Sequence, residues 1–140
     1  MTDPAANVSV VVHGPPPRKN RRHAHGGHGG PVRNSSEYLA WCEQLARAWE
    51  AASGPALAAG RWQLHVSALW PRRRDLGDVI VPFGDIDAPI SAVLDGLQLC
   101  GAIDDDVRVC RLTSDKGLAT DDDPPKVVIH LTRMEDENDG

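Results

Sequence analysis

The chain has 140 residues, 41% hydrophobic and 25% charged, with a formal net charge of −5. That is enough for one domain with a modest core, and no apolar run approaches the roughly 20 residues of a membrane helix. No apolar h-region opens the chain, so no secretory signal is expected; Cys42, Cys100 and Cys110, an odd number without CxxC spacing, read as reduced thiols of a cytoplasmic protein.

Residues 1–6 are expected to be a disordered tail, and residues 7–12 (NVSVVV) a buried β-strand. Residues 13–34 form a long loop with three consecutive prolines, which favour an extended path, and then the run HAHGGHGG. A loop of this length is functional or disordered. Asn34, Ser35 or Ser36 can cap a helix over residues 37–52, with apolar residues at Leu39, Cys42, Leu45 and Trp49 and a stop at Gly54-Pro55. Residues 61–70 alternate, with Trp62, Leu64, Val66, Ala68 and Trp70 on one face, as in a strand with one covered side. Residues 71–83 read as a long arginine-bearing loop. Residues 88–99 carry Ile90, Val93, Leu94 and Leu97 at helical spacing, with Asp87 at the N-cap position and Pro89 in the first turn. Gly101 lets the chain turn back as a strand over residues 106–112. Residues 114–125 read as a turn region, residues 126–133 as the last strand, and residues 135–140 as an acidic disordered tail. The order β-α-β-α-β-β over residues 7–134 predicts an α+β domain, a small mixed sheet with two helices packed on it.

Two acidic clusters flank the second helix: Asp85 and Asp87 before it, Asp104, Asp105 and Asp106 after it. In an extended segment Asp85 and Asp87 face the same side. A turn at Gly101 can bring the second cluster back towards the first. Converging carboxylates repel one another, and a hard divalent cation with oxygen ligands, Mg²⁺ or Mn²⁺, relieves that repulsion. The plain alternative is a solvated loop plus an N-cap. Charge is also divided along the chain. Residues 1–74 hold 10 Lys/Arg against 4 Asp/Glu, and residues 75–140 hold 5 against 16. The cations gather in Arg18, Lys19, Arg21 and Arg22, around Asn20, and in Arg72, Arg73 and Arg74. Basic clusters beside an acidic metal site suit a nuclease, whose cations bind phosphates.

The segment DIDAPIS, then LDGL, then GAIDDDVRV resembles the core motif of the RusA family of Holliday-junction resolvases: Asp-x-Asp-Asn-x-x-Lys, an acid in LDxL, a Gly, and paired acids before a strand. VSVVVHGPPPRKNRR is similar to the family's first strand and Pro-Pro-x-x-Asn-Arg loop. TSDKG and KVVIHLTRM stand where its closing hairpin does. The resemblance covers residues 7–134. It implies a RusA-like α+β fold and a Mg²⁺-dependent endodeoxyribonuclease that cuts four-way junctions or other branched DNA in recombination and repair. It also implies a homodimer, in a bacterial cytoplasm, of phage or prophage type. By resemblance Asp85, Asp87 and Asp106 are the catalytic acids and, with Asp105, the metal ligands, and Lys116 of TSDKG matches another family position. Arg18–Arg22 and Arg72–Arg74 are read as DNA contacts. Asp95 matches the LDxL acid and is expected to be a structural partner or a group that supports the metal ligands, rather than a ligand itself. Asp104 has no family counterpart and reads as a loop carboxylate. The motif start is imitated by PRRRDLGD, but Asp75 lies 20 residues from Asp95 and Asp85 only 10, and a helix follows only Asp87.

Two positions depart from the family pattern. Ala88 replaces the Asn, and Ser91 replaces a Lys one helical turn beyond Asp87. A Ser cannot supply that charge, which motivates a second reading, a junction-binding protein with weakened cleavage. A third reading is a Zn²⁺ module built on His23, His25 and His28. His65 and His130 read as sheet residues.

Overall fold

The computed structural model describes residues 7–18, 23–25, 32–34, 36–53 and 60–134, of which 23–25 and 32–34 by backbone alone. In chain order the elements are β1 (Asn7–His13), β2 (His23–His25), β3 (Val32–Asn34), α1 (Ser36–Ser53), β4 (Arg61–Trp70), β5 (Arg73–Asp75), β6 (Ile80–Pro82), α2 (Ala88–Leu99), a 3₁₀ turn (Asp106–Arg108), β7 (Val109–Leu118) and β8 (Lys126–Met134). The protein is α+β, with a mixed four-stranded sheet in the order β1-β8-β4-β7. β8 lies antiparallel between β1 and β4, and β7 runs parallel to β4. β2 pairs with β3, and β5 with β6, as separate two-stranded ribbons.

Strand alternation selects the core. β4 buries Trp62, Leu64, Val66, Ala68 and Trp70, β8 buries Val127, Ile129 and Leu131, and β1 buries Val10 and Val12. All face one side of the sheet. α1 covers them with Tyr38, Trp41, Cys42, Leu45 and Trp49, and α2 with Ala88, Ala92, Val93 and Leu97, in one cluster. The two helices touch closely at Gly96, where a Cβ would lie 2.7 Å from Leu45 Cδ2 and 3.2 Å from the Cys42 carbonyl oxygen. α2 ends in a Schellman motif: Gly101, at φ +74°, donates to Gln98, and Ala102 donates to Leu97. That cap turns the chain towards β7. No helix among the described residues is long and apolar enough to cross a membrane.

The structure corrects five details. Residues 13–34 are not loop throughout, because β2 and β3 pair His23 with Asn34 and His25 with Val32. Residues 71–83 are not an open loop, because β5 and β6 pair Arg73 with Pro82 and Asp75 with Ile80. β7 does not stop at residue 112. It continues to Leu118 through TSDKG, carried by backbone pairing to β4, as its side chains alternate too little to show a strand. β7 and β8 do not form a closing hairpin but flank β4 on opposite sides. The linking chain crosses the end of β4, where the Ala119 N–H donates to the Trp70 carbonyl. β8, with three residues fully buried, needs an interior position, whereas polar β7 can sit at an edge. Finally, Asp85–Ala88 is a turn closed by the Ala88 N–H on the Asp85 carbonyl at 3.1 Å. Strand alternation therefore does not set where Asp85 and Asp87 point.

Candidate functional site

The site begins where β4 ends. Trp70 is buried, and the chain returns from the β5–β6 hairpin to cross its indole at Gly84. A Cβ on Gly84 would lie 2.4 Å from Trp70 Cε2, so only glycine lets the backbone rest on the ring. The edge strand β7 then holds this segment from the side. Lys116 Nζ donates to the Gly84 carbonyl at 2.8 Å and to that of Pro82 at 3.1 Å, and Ser114 Oγ donates to the Ile86 carbonyl at 2.7 Å. The Asp85–Asp87 turn is thus pinned at the Ile86 carbonyl, and the segment leading into it at those of Pro82 and Gly84. Sequence reasoning missed Ser114, for which a polar position on an edge strand is the one available signal.

Asp87 stands at the N-cap of α2 in helical conformation (φ −93°, ψ −4°), and its side chain makes no capping hydrogen bond. The expected capping role is not observed. Both carboxylates nonetheless lie at the N-terminal end of α2, where the helix dipole favours negative charge. Ala88 is buried and Ser91 is half-buried. Asp75 instead accepts from the Gly77 N–H at 2.8 Å in the hairpin turn, and no helix follows it.

The second acidic cluster divides by function. Asp104 accepts a forked pair from Arg108, at 2.5 Å from Nε and 3.2 Å from Nη2, and this holds its carboxyl below the usual carboxylate range. It is a loop carboxylate, as its sequence position suggests. Asp105 accepts from the Val107 N–H at 3.0 Å and caps the 3₁₀ turn. Asp106 is pushed above the usual range by a hydrogen bond shared with the Asp105 carboxyl, with the charges of Asp105 and Asp95 adding to it. Asp95 in turn accepts from the Tyr38 hydroxyl, tying α2 to α1 as a structural partner. Asp105 and Asp106 are thus neighbours, with the Asp95 charge felt at Asp106, while Asp85 and Asp87 stand at the start of α2.

Among the described residues no three His, Cys, Asp or Glu side chains stand close enough to hold a metal ion. The side chains of both clusters are oxygen donors, the type a hard cation takes.

A cleft of about 490 Å³ opens beside Asp85, bounded by Arg18, Trp70, Arg74, Phe83, Gly84 and Lys116. A neighbouring groove of about 400 Å³ is bounded by Pro15–Pro17, Arg18, Trp41 and Arg72. Arg18 borders both. Of the predicted DNA contacts, Arg18, Arg72 and Arg74 line these depressions and Arg73 is exposed on β5. Lys19, Asn20, Arg21 and Arg22 lie outside the described residues, as does His28; His23 and His25 fall in β2.

The uncovered sheet face carries a polar group that residue spacing does not reveal. His65 contacts Thr113 through Nδ1, and its Nε2 lies 3.3 Å from Ser67 Oγ and 3.1 Å from Asp115. Ser67 donates to Asp115 at 2.5 Å. Because the Ser67 hydroxyl donates to the carboxylate and one ring nitrogen faces both partners, this is not a nucleophile–base relay; it staples β4 to β7.

No protein-family model matches the chain, and no curated protein matches it in sequence.

Proposed function

We propose that the chain is a metal-dependent, RusA-like endodeoxyribonuclease that cuts four-way junctions or related branched DNA, acting as a homodimer in a bacterial cytoplasm. The observation that carries this reading is the seating of the acidic turn. Asp85 and Asp87 open α2 beside a cleft whose other charged members are Arg18, Arg74 and Lys116. Asp85 lines that depression with the three cations, and an acid for a metal beside cations for phosphate is what phosphodiester hydrolysis needs.

The acids that the resemblance assigns to Mg²⁺, or Mn²⁺ in its place, are Asp85, Asp87 and Asp106, with Asp105 beside Asp106; no three of them stand close enough to share an ion, so holding it would require the two clusters to draw together. When bound, the cation would supply an activated water and neutralise phosphoryl charge. Arg18 and Arg74 bind the flanking phosphates. Lys116, held at the Gly84 carbonyl, puts an ammonium at the turn that carries Asp85 and stands in for the charge that Ser91 lacks. A two-fold dimer presents two such sites to a two-fold junction.

The test is cleavage of a synthetic four-way junction with Mg²⁺ and with Mn²⁺. Asp87→Asn and Asp106→Asn are each expected to abolish cutting and to leave junction binding intact or tighter, because fewer acids repel phosphate. Cleavage by either variant at the wild-type rate overturns the assignment. The second reading, a junction binder with weakened cleavage, is favoured by Ala88 and Ser91 and by the separation of the acids into two groups. Binding without cutting in either metal supports it.

A further inference from the structure

The β5–β6 hairpin exposes apolar surface that the fold does not use. Leu76 is 53% exposed, Val79 51%, Ile80 48% and Phe83 50%. The hairpin closes tightly, with the Leu76 N–H on the Val79 carbonyl at 2.9 Å and Gly77 at φ +97°, the glycine position of a II′-type turn. Alternation along such a ribbon places Arg74, Leu76 and Val81 on one face. That face lines the 490 Å³ cleft together with Phe83, and Arg18 and Lys116 line it too. The Arg74 guanidinium lies over the Phe83 ring, 5.9 Å from its centroid. The lining of the cleft thus combines an apolar, stacked hairpin face with the cations Arg18 and Lys116 and the carboxylate of Asp85.

We propose that this cleft holds an unstacked nucleobase of the DNA strand that is cut, the hairpin face covering the base while Arg18 and Lys116 hold its phosphates. The proposal rests on the nuclease reading and adds a base-binding wall to it. Volume, wall chemistry and charge all suit a nucleotide. A cleft of this size is within the range of small-molecule sites. Bases stack on arginine planes and aromatic rings without sequence preference. An apolar wall alone would suit a protein partner, but three cations bordering it favour a polyanion. At a branch point the step next to the crossover is the one most easily unstacked, so the wall selects branched over linear DNA.

The experiment places 2-aminopurine at the branch point of a four-way junction and measures its fluorescence with the full chain in Ca²⁺, alongside binding to the junction and to linear duplex. The wild type is expected to raise the fluorescence severalfold on the junction and not on the duplex. Leu76→Ser with Phe83→Ser is expected to bind the junction within about threefold of wild type, to leave the fluorescence at the free-junction level, and to cut at least about fivefold more slowly. Leu76→Ser alone, at an exposed turn outside the core, serves if the double variant does not fold. Fluorescence that rises equally with the variants overturns the base-binding wall while the nuclease reading stands. A wild type that binds no DNA overturns both. If the substitutions convert a dimer to monomers by light scattering, the hairpin covers a second copy and the base assignment falls.

Discussion

β7 and β8 lie on either side of β4 and are of similar length, yet they do opposite work. β8 buries Val127, Ile129 and Leu131 completely and pairs along both edges. β7 buries no side chain and pairs with one neighbour in the sheet. The contacts to the candidate site come from β7, whose Ser114 and Lys116 hold the acidic turn, while on the other face Asp115 accepts from Ser67 of β4. A strand whose side chains are not needed for the core is free to use them for chemistry. The interior strand supplies the rigidity that makes those positions reliable.

The widest break between the two strands should come from the core. Ile129→Ala is expected to cost about 2–5 kcal/mol of unfolding free energy, read by urea titration, with junction cleavage per folded molecule unchanged within about twofold. A catalytic loss well beyond the unfolded fraction would show that β8 shapes the site directly. On β7 the pattern reverses. Lys116→Ala is expected to slow cleavage by roughly 10²-fold, the typical cost of one preorganised charge-stabilising donor, while Tm hardly changes. Ser91 sits four residues beyond Asp87, one turn along α2, so Ser91→Lys should raise the rate and shrink the effect of Lys116→Ala. If Ser91→Lys leaves a folded protein no faster and Lys116→Ala is silent, β7 is only a support.

Further from the strands the effects shrink. Replacing Arg72, Arg73 and Arg74 by Gln should flatten the log–log salt dependence of junction binding by about 0.9 for each phosphate no longer neutralised; an unchanged slope would mean that the hairpin arginines are only solvated. The smallest effects concern the two acids with opposite perturbations. Asp106 holds its proton above the usual range, because Asp105 shares a hydrogen bond with it. Its contribution to stability is therefore complete at low pH and is lost as pH rises through its raised pKa. Asp106→Asn should raise Tm slightly at pH 7 in chelator and leave it unchanged at pH 3. Asp104 is depressed by Arg108, so its contribution is present at neutral pH and lost as pH falls. Asp104→Asn should lower Tm slightly at pH 7, an effect reduced by salt at this exposed pair. Equal signs for the two variants would refute this pairing of the loop acids.

Local pattern is sufficient for the elements that bury one face. β4 spans residues 61–70 and α2 residues 88–99, as alternation and helical spacing indicate, because a core stripe repeats at the period of its own backbone. Asp104 as a loop carboxylate and Asp95 as a structural partner are also legible, though Tyr38 as the partner is not. Alternation is blind to whatever rests on contacts distant in sequence. The pairing of β7 with β4 rather than β8, the ribbon within residues 71–83, and the turn at Asp85–Ala88 are set by backbone hydrogen bonds, which leave little trace in side-chain type. Residue types alone therefore determined an α+β chain with acids at both ends of one helix and cations in two clusters. Only the tertiary structure brought Lys116 and Ser114 to the segment just before that helix, across 32 and 28 residues, because an edge strand meets the site through space and not along the chain.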